Sequence, residues 1–592
     1  MTQAKTDSQT GPSPSEYMVE AYAKLGDAMA QFVRNPPIRK PNRRFDALAA
    51  FSALNDVMKG IWMQPERLLE AQTEAVNEWS QMWTRMWGLD AAAEPLVVPE
   101  RGDRRFRDEQ WESSACFSKL KDSYLLIGKH LRALVQASAE EDPGKRALAE
   151  LLVEQYLNAV APTNFVFTNP EVLRRTVETG GANLVSGFAN MISDLSTGRG
   201  IVQRRTDHDA FKLGENIACT PGAVVYQNDL MQLIQYTPTT KKVRRRPVLY
   251  VPPLVNKYYM VDLQPRSSLI KWLVDEGNTV FVVSWVDPDE SHRHCAVDDY
   301  VGHGVIEAID QIIEATGQKS VDTFGFCMGG TLVTMAAAVL AARGEGAKIG
   351  TATLIGALVD FADMMEWSAF VNEAHVEALD VHIGEKGYID KDELQQLFSL
   401  MRANDLVWSS FISHYLLDKE SPPSDLLFWF EDGSHIPHAF LRSYNRKLLV
   451  EDKLRVPGAV ELLGEHLDLT KIDSPVMIIG LKDDHVSSWS SVFRGKQYFG
   501  GPVEFVLGGS GHNAGVINPP SANKHGYWTN TSDTNDSNTW LAGADKHEGS
   551  WWPYWMEWLD RNDNGGQVAA RKLGIGQLEV LEEAPGSYVL GR

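Results

Sequence analysis

The chain has 592 residues, 43% hydrophobic and 23% charged, with a formal net charge of −21. That length exceeds what one core needs and points to about two to four domains or subdomains; the composition argues against a wholly disordered chain, and the acidic field argues against nonspecific binding to nucleic acid or anionic membrane. The four cysteines, Cys116, Cys219, Cys295 and Cys327, are widely spaced with no C-x-x-C, which argues against a disulfide framework or a structural zinc and makes a reducing, cytoplasmic setting the default.

The opening "MTQAKTDSQTGPSPSEY" has no apolar stretch of the kind a secretory signal needs. Residues 1–16 read as a disordered tail. Met18, Tyr22, Leu25, Met29 and Phe32 then share one helical face. "NPPIRKPNRR" breaks the pattern, and a second series runs through Phe51, Leu54, Met58 and Ile61, then Leu68, Leu69, Val76, Trp79, Trp83 and Met86. Pro65 suits a first helical turn. Such stripes serve either as helix-on-helix core or as a docking face for a partner or a hydrophobic particle. Residues 100–205 stay mostly helical, so an α-helical N-terminal domain is expected over 17–205.

From about residue 220 the texture changes. "PVLYVPP", "TVFVVSW", "SVDTFGF", "TATLIGAL" and "PVMIIGL" read as strands, and "SSLIKWLVDEG", "VIEAIDQIIEATG" and "GTLVTMAAAVLAARG" as the helices between them. Continuously apolar strands alternating with helices predict a mainly parallel sheet covered on both faces. The expected class is α/β, over residues 206–592. The most apolar run, residues 333–342, is too short to span a bilayer. "GSWWPYWMEWLDR" reads as a final amphipathic helix on the sheet.

Within "GFCMGG", residues 325–330, lies G-x-C-x-G, the nucleophile-elbow pattern of an α/β-hydrolase with a thiol in place of the usual hydroxyl. A strand runs in and a helix runs out. Gly325 and Gly329 lack a Cβ, so a sharp turn can present Cys327 at a helix N-terminus, where the dipole and the Met328 amide favour a thiolate and an oxyanion. The chain order nucleophile, acid, histidine then sets the partners. The acid follows the strand in "PVMIIGLKDDHVSSW", with Asp484 preferred and Asp483 the alternative that spacing leaves open. The histidine follows "PVEFVLGGSGHNAG", at His512. His485 sits beside the acid and is a secondary candidate only. The second oxyanion donor should come from the loop "VPPLVNKYYMVD", at the amide of Val255 or Asn256, by position alone. The long gap from Cys327 to Asp484 implies an insertion at about 362–445, apolar and aromatic, placed to cap the carboxyl edge of the sheet. "KKVRRR", residues 241–246, precedes a strand whose carboxyl end faces the nucleophile, so it reads as a solvated rim on the opposite side. No metal-ligand spacing or cofactor motif is present.

These stretches, together with "VPPLVNKYYMVDL", "DDHVSSW", "SGHNAGVINPP" and "GSWWPYWMEWL", appear in the order found in the class I polyhydroxyalkanoate synthases, which residues 100–592 resemble. The resemblance implies a catalytic triad of Cys327, Asp484 and His512, an α/β-hydrolase domain with a cap, a helical N-terminal domain and an active homodimer. It implies (R)-3-hydroxyacyl-CoA substrates, joined into a polyester stored as cytoplasmic granules, and an N-terminal domain associated with dimerisation, the granule surface and granule proteins. No cofactor, nucleic acid or transmembrane segment is implied. Three departures stand out: Phe326 where many members have Tyr, Asn513 where Ile is common, and "FWFEDGSHIP" in the cap. The thiol fits this chemistry. Attack on a CoA thioester exchanges one thioester for another, so the acyl group stays activated until a 3-hydroxyl takes it. A thioesterase or polyester depolymerase with the same nucleophile is the main alternative, and a noncatalytic granule scaffold a third.

Overall fold

The computed structural model describes residues 13–34, 56–87 apart from 58 and 62, 96–138 apart from 101 and 102, 142–196, and 205–591 apart from 564. The chain divides into two compact units. One comprises Met1–Asp207 with Gln396–Pro423, the other His208–Gln395 with Ser424–Arg592. Residues 396–423, expected to belong to the cap, therefore group with the N-terminal helices.

In the first unit, α1 (Pro14–Arg34), α2 (Pro65–Met86), α3 (Ala115–Gln136), α4 (Pro143–Ala159), α5 (Pro170–Glu178) and α6 (Ala182–Ser196) are helical as the periodicity predicts. Their buried faces differ from the expected stripes. On α1 the residues that bury are Ala21 and Ala28, flanked by half-buried Met18, Leu25 and Phe32, while Tyr22 and Met29 point outward. The reason is close packing. α1 lies along α6, whose buried positions include Ala182, Ser186, Gly187 and Ala189 beside Asn183, Asn190 and Asp194, and small residues on both helices bring the backbones together. On α2, Met82 buries whereas Leu69, Val76 and Trp83 are exposed. Phe51, Leu54, Met58 and most of the expected tail lie outside the described residues.

α6 also receives the segment Ile412–Leu416, a wide (π) turn. A Cβ on Gly187 would lie 1.8 Å from the Tyr415 carbonyl oxygen, so only glycine fits. The carbonyls that the wide turn leaves over are met by side chains: Asn183 donates to Leu416 O at 2.7 Å and Asn190 to His414 O at 3.0 Å. Tyr415 donates to Asp194 at 2.7 Å. Polar groups buried at this seam are thus satisfied pairwise.

The second unit is built on β1 (Gly222–Gln227), β2 (Met231–Tyr236), β3 (Val248–Val251), β4 (Val280–Trp285), β5 (Val321–Phe326), β6 (Ile349–Ile355), β7 (Val476–Leu481), β8 (Val503–Gly508), β9 (Tyr527–Thr529), β10 (Asp545–His547) and β11 (Glu582–Glu583). Among the described residues they form one sheet in the order β10-β9-β8-β7-β6-β5-β3-β4-β2-β1-β11. The strands from β4 through β3, β5, β6 and β7 to β8 are parallel, and those outside them are antiparallel. β3, β5 and β7 are buried along their whole length, as expected for strands covered on both faces. α7 (Leu269–Asp275), α8 (Glu307–Thr316) and α9 (Met328–Ala342) make the crossovers. This is the α/β-hydrolase arrangement, with β3 and β4 exchanged relative to chain order so that β5 lies near the middle.

The aromatic helix near the end, α10 (Trp552–Arg561), packs on this sheet. Trp551, Trp552 and Trp555 are fully buried, worth about 4–6 kcal/mol each in apolar area before entropy is charged. It is not the last element. The chain continues and adds β11 beside β1.

The basic run is a solvated rim only in part: Lys241, Lys242 and Arg245 are exposed, whereas Arg244 and Arg246 turn inward. Arg244 is buried and Arg246 nearly so, and both reach Asp322 on β5, at 3.5 and 2.7 Å. Asp560 and Asp563 supply further carboxylates to Arg244 at 2.9 and 3.4 Å, and Thr351 donates to Asp322 at 2.8 Å. Burial pushes the Asp322 carboxyl upward, and the two guanidiniums oppose that. The position at the amino end of the strands was foreseen; the carboxylates brought there by α10 were not. Arg246→Met leaves Asp322 with the Thr351 hydrogen bond and, as its remaining guanidinium partner, only the more distant Arg244. We expect a loss of about 3 kcal/mol, seen as a lower urea midpoint for the second unit. An unchanged midpoint would mean that Arg244 alone neutralises Asp322.

Candidate active site

β5 delivers the chain to Cys327 at the carboxyl edge of the sheet. Cys327 has φ 52° and ψ −129°, and α9 begins at the next residue. A side chain in that conformation costs about 1–3 kcal/mol, so it persists only where its surroundings enforce it. Here they do. A Cβ on Gly325 would sit 2.6 Å from the Gly329 carbonyl carbon and the Gly330 nitrogen, and one on Gly329 would sit 2.2 Å from Val251 O. The turn is drawn tight because both positions are bare. The Cys327 amide donates to Ile355 O at 2.8 Å, tying the elbow to the end of β6. The thiol is half-buried. Met328 is the first residue of α9, and an amide in a first helical turn has no intrahelical acceptor.

The loops after β7 and β8 bring Asp484 and His512 together. His512 Nδ1 and Asp484 Oδ2 are 2.6 Å apart, and both side chains are almost inaccessible. The other carboxylate oxygen of Asp484 accepts from the amides of Val486 and Ser487 at 2.8 and 2.9 Å. Burial disfavours charge on His512. The Asp484 carboxylate and then the Cys327 charge outweigh it, together with hydrogen bonds to both residues, and lift the imidazole to about 10. The three groups expected from their order in the chain are therefore in mutual reach, with Nδ1 on the aspartate and the remaining ring nitrogen left for Cys327. Asp483 is exposed; its amide donates to Ser510 O at 3.0 Å and laces the two loops together. His485 is half-buried, and the Asp484 carboxylate goes to the His512 ring instead.

Sequence reasoning missed several residues around this pair. Phe326, inside the elbow, lays its ring on His512 with centroids 4.7 Å apart. Gly356, at φ 55°, leaves room where a Cβ would touch His512 and Asp484 at 3.4–3.5 Å. Trp551 and Trp552 donate from their indoles to Gly515 O and Val516 O, at 2.9 and 3.0 Å, and so hold the loop that carries His512. Tyr250 on β3 and Tyr444 are fully buried. Burial raises both phenols, and the charge of Cys327 raises them further. Tyr250 was legible in principle, as the one hydroxyl in an otherwise apolar strand leading into the loop that bears Val255. Tyr444 lies 117 residues beyond Cys327 and had no local signal.

The loop bearing Val255 and Asn256 is fastened to the segment "FWFEDGSHIP". Val255 O accepts from Ser434 N at 3.1 Å, Asn256 pairs with Gly433 as an isolated bridge, and its side chain donates to Phe430 O at 3.3 Å. Lys257 and Tyr259 both reach Asp432, at 2.7 and 2.9 Å, and Trp429 donates to Lys257 O at 2.7 Å. The divergent cap sequence is thus the clamp on this loop. Among the described residues there is no group of three His, Cys, Asp or Glu placed to hold a metal ion, and no helix is long and apolar enough to cross a membrane.

Two family models match the chain. The alpha/beta hydrolase fold covers residues 247–519, and the poly-beta-hydroxybutyrate polymerase (PhaC) N-terminus covers residues 102–273. The chain is 38% identical over 584 residues to the poly(3-hydroxyalkanoate) polymerase subunit PhaC of Rhizobium meliloti, a match that spans 97% of this chain and 94% of that one. It is 41% identical over 535 residues to the poly(3-hydroxyalkanoate) polymerase of Methylorubrum extorquens, covering 89% and 88%. It is 39% identical over 540 residues to the corresponding subunit of Cupriavidus necator, covering 90% of each.

The raised imidazole has a consequence for stability. Its folded value of about 10 lies above the ordinary 6.5, so the protonated pair stabilises the native state fully below pH 6.5 or so and loses that contribution as the pH climbs through about 10. The gap in urea midpoint between wild type and Asp484→Asn should therefore narrow between those limits. A gap that stays constant would show that the native state binds no extra proton at His512.

Proposed function

The chain belongs to the poly(3-hydroxyalkanoate) polymerase family, and from that membership we propose that it joins (R)-3-hydroxyacyl groups from CoA thioesters into polyester through a covalent adduct on Cys327. The observation that carries this reading is a thiol at the strained elbow, facing a histidine whose other nitrogen is held by a buried carboxylate.

Cys327 Sγ attacks the thioester carbonyl, forming a new S–C bond. The oxyanion is received by the amides of Met328 and Val255, with Asn256 the alternative second donor. The C–S bond to CoA then breaks, and the proton held on His512 passes to the departing CoA sulfur. In elongation the 3-hydroxyl oxygen of an acceptor attacks the acyl carbon on Cys327. Its proton goes to His512, an oxoester forms, and the cysteine sulfur leaves as thiolate. His512 rather than Asp484 takes this proton, because both oxygens of Asp484 are already engaged and its side chain is closed to solvent and substrate alike. Asp484 fixes the tautomer and balances the imidazolium. His485 is given no role in these steps.

The thioester-to-thioester exchange is nearly neutral in energy. The downhill step is saved for the bond that lengthens the chain. Water is the competing acceptor, and buried aromatics of the insertion after β6, such as Phe361, Phe440 and Tyr444, favour exclusion of water from the acyl-enzyme. The substrate is most simply 3-hydroxybutyryl-CoA. Homodimer formation, a place on cytoplasmic polyester granules and contacts with granule proteins through the helical region within residues 17–205 complete the proposal; residues 206–592 carry the chemistry, and no cofactor is required.

With purified protein and (R)-3-hydroxybutyryl-CoA, CoA release should be matched by insoluble polyester. Cys327→Ala should lose at least 1,000-fold in rate, about 4 kcal/mol of transition-state stabilisation, and Cys327→Ser should lose polymer formation as well. Release of CoA with only soluble hydroxybutyrate would make the protein a thioesterase and sink the proposal.

A further inference from the structure

A cleft of about 510 Å³ opens on the second unit, apart from the catalytic groups, and four cationic side chains line it, Arg293, Arg442, Arg446 and Lys447, with His294 and His438 beside them. This stands against the field of a chain with a net charge of −21. Like charges set side by side repel, so such a cluster is stable only where carboxylates or a ligand balance it.

The backbone explains how the cluster arises. His438 and Arg442 lie one turn apart on the helix His438–Tyr444, whose opposite face buries Phe440, Leu441 and Tyr444. The next turn, Asn445–Val450, is a π segment. Its wider turn, closed by i→i+5 hydrogen bonds, brings Arg446 and Lys447 both to the line that runs up from Arg442. Arg293 and His294 form the facing wall, where Arg293 donates to Gly384 O.

Carboxylates serve only part of this set. Asp380 pairs with His438 and lies 3.5 Å from Arg442, and Glu290 lies 3.3 Å from Arg293. Among the described residues no carboxylate pairs with Arg446, Lys447 or His294. Arg446 and Lys447 are exposed, so their charges are available from solvent. The volume suits a small molecule rather than a single ion, and forked guanidiniums beside a lysine ammonium are the groups that recognise phosphate oxygens.

We propose that this cleft binds the phosphates of an oligophosphate-bearing small molecule. The source is either the phosphate end of the CoA donor, which rests on the polymerase reading, or a free oligophosphate that acts apart from the active site. Arg446 and Lys447 supply the unbalanced charge, with Arg442 and Arg293 as oriented donors.

Calorimetric titration of the full-length protein with sodium triphosphate tests this directly. Wild type should show one saturable site that weakens with added salt. Arg446→Gln/Lys447→Gln should bind at least tenfold more weakly, while Lys212→Gln/Lys271→Gln, with the same net charge, should bind as wild type does. Absence of saturable binding, or an equal loss in both double variants, would overturn the proposal. The source is read by competition. If CoA displaces triphosphate, and the Arg446/Lys447 variant raises KM for (R)-3-hydroxybutyryl-CoA several-fold at unchanged kcat, the phosphates are those of the donor. If CoA leaves triphosphate bound and KM is unmoved, the ligand is a separate oligophosphate. Failure of the polymerase reading would appear differently, as absent polymer with triphosphate binding intact.

Discussion

The arrangement of this active site depends on one strained residue. Cys327 is held at φ 52° because the strand before it and the helix after it meet without side chains between them, at Gly325 and Gly329. That turn fixes three things together. It projects the sulfur from the carboxyl edge of the sheet, it starts a buried helix at the residue after the thiol, and it places Phe326 against the His512 imidazole. A hydroxyl could stand at the same corner, as it does in hydrolases with this motif. In the proposed reaction the thiol changes the thermodynamics rather than the geometry, since a thioester on Cys327 is as activated as a thioester of CoA.

The histidine is built to match. Its carboxylate partner is locked by two backbone amides on one oxygen and by the ring on the other, and the aromatic residues of α10 pin the loop on which the ring rides. Such a pair is costly to bury and is stable only when every lone pair is spoken for. The outcome is an imidazole raised well above its ordinary value by the carboxylate beside it.

Charge is handled differently at the two ends of the sheet. At the amino end, Arg244 and Arg246 are sunk among Asp322, Asp560 and Asp563 and neutralised there. Just past the insertion, Arg446 and Lys447 stand exposed in a cleft, with no carboxylate paired to them among the described residues. Both runs look alike as strings of basic residues. What separates them is whether a distant part of the chain returns with carboxylates, and α10 does so only for the first.

The strands, the crossover helices, the elbow and the order of Cys327, Asp484 and His512 were all readable without coordinates. Each is a local pattern: apolar runs of strand length, glycines at fixed offsets, and an acid and a histidine just past strand ends. The preference for Asp484 over Asp483 was strengthened by resemblance, and its geometric reason is that the chain turns one neighbour inward and the other to solvent. Periodicity identified the N-terminal helices but misjudged their faces, because Ala21 and Ala28 bury by allowing close approach, a property of the pair of helices rather than of either alone. The assignment of residues 396–423 to the helical unit, the contribution of Tyr444 to the site, and the neutralised arginines share one cause. Each depends on contacts between segments far apart in the chain. A linear sequence records which residues are available for such contacts, but only the packing of the whole decides which ones meet.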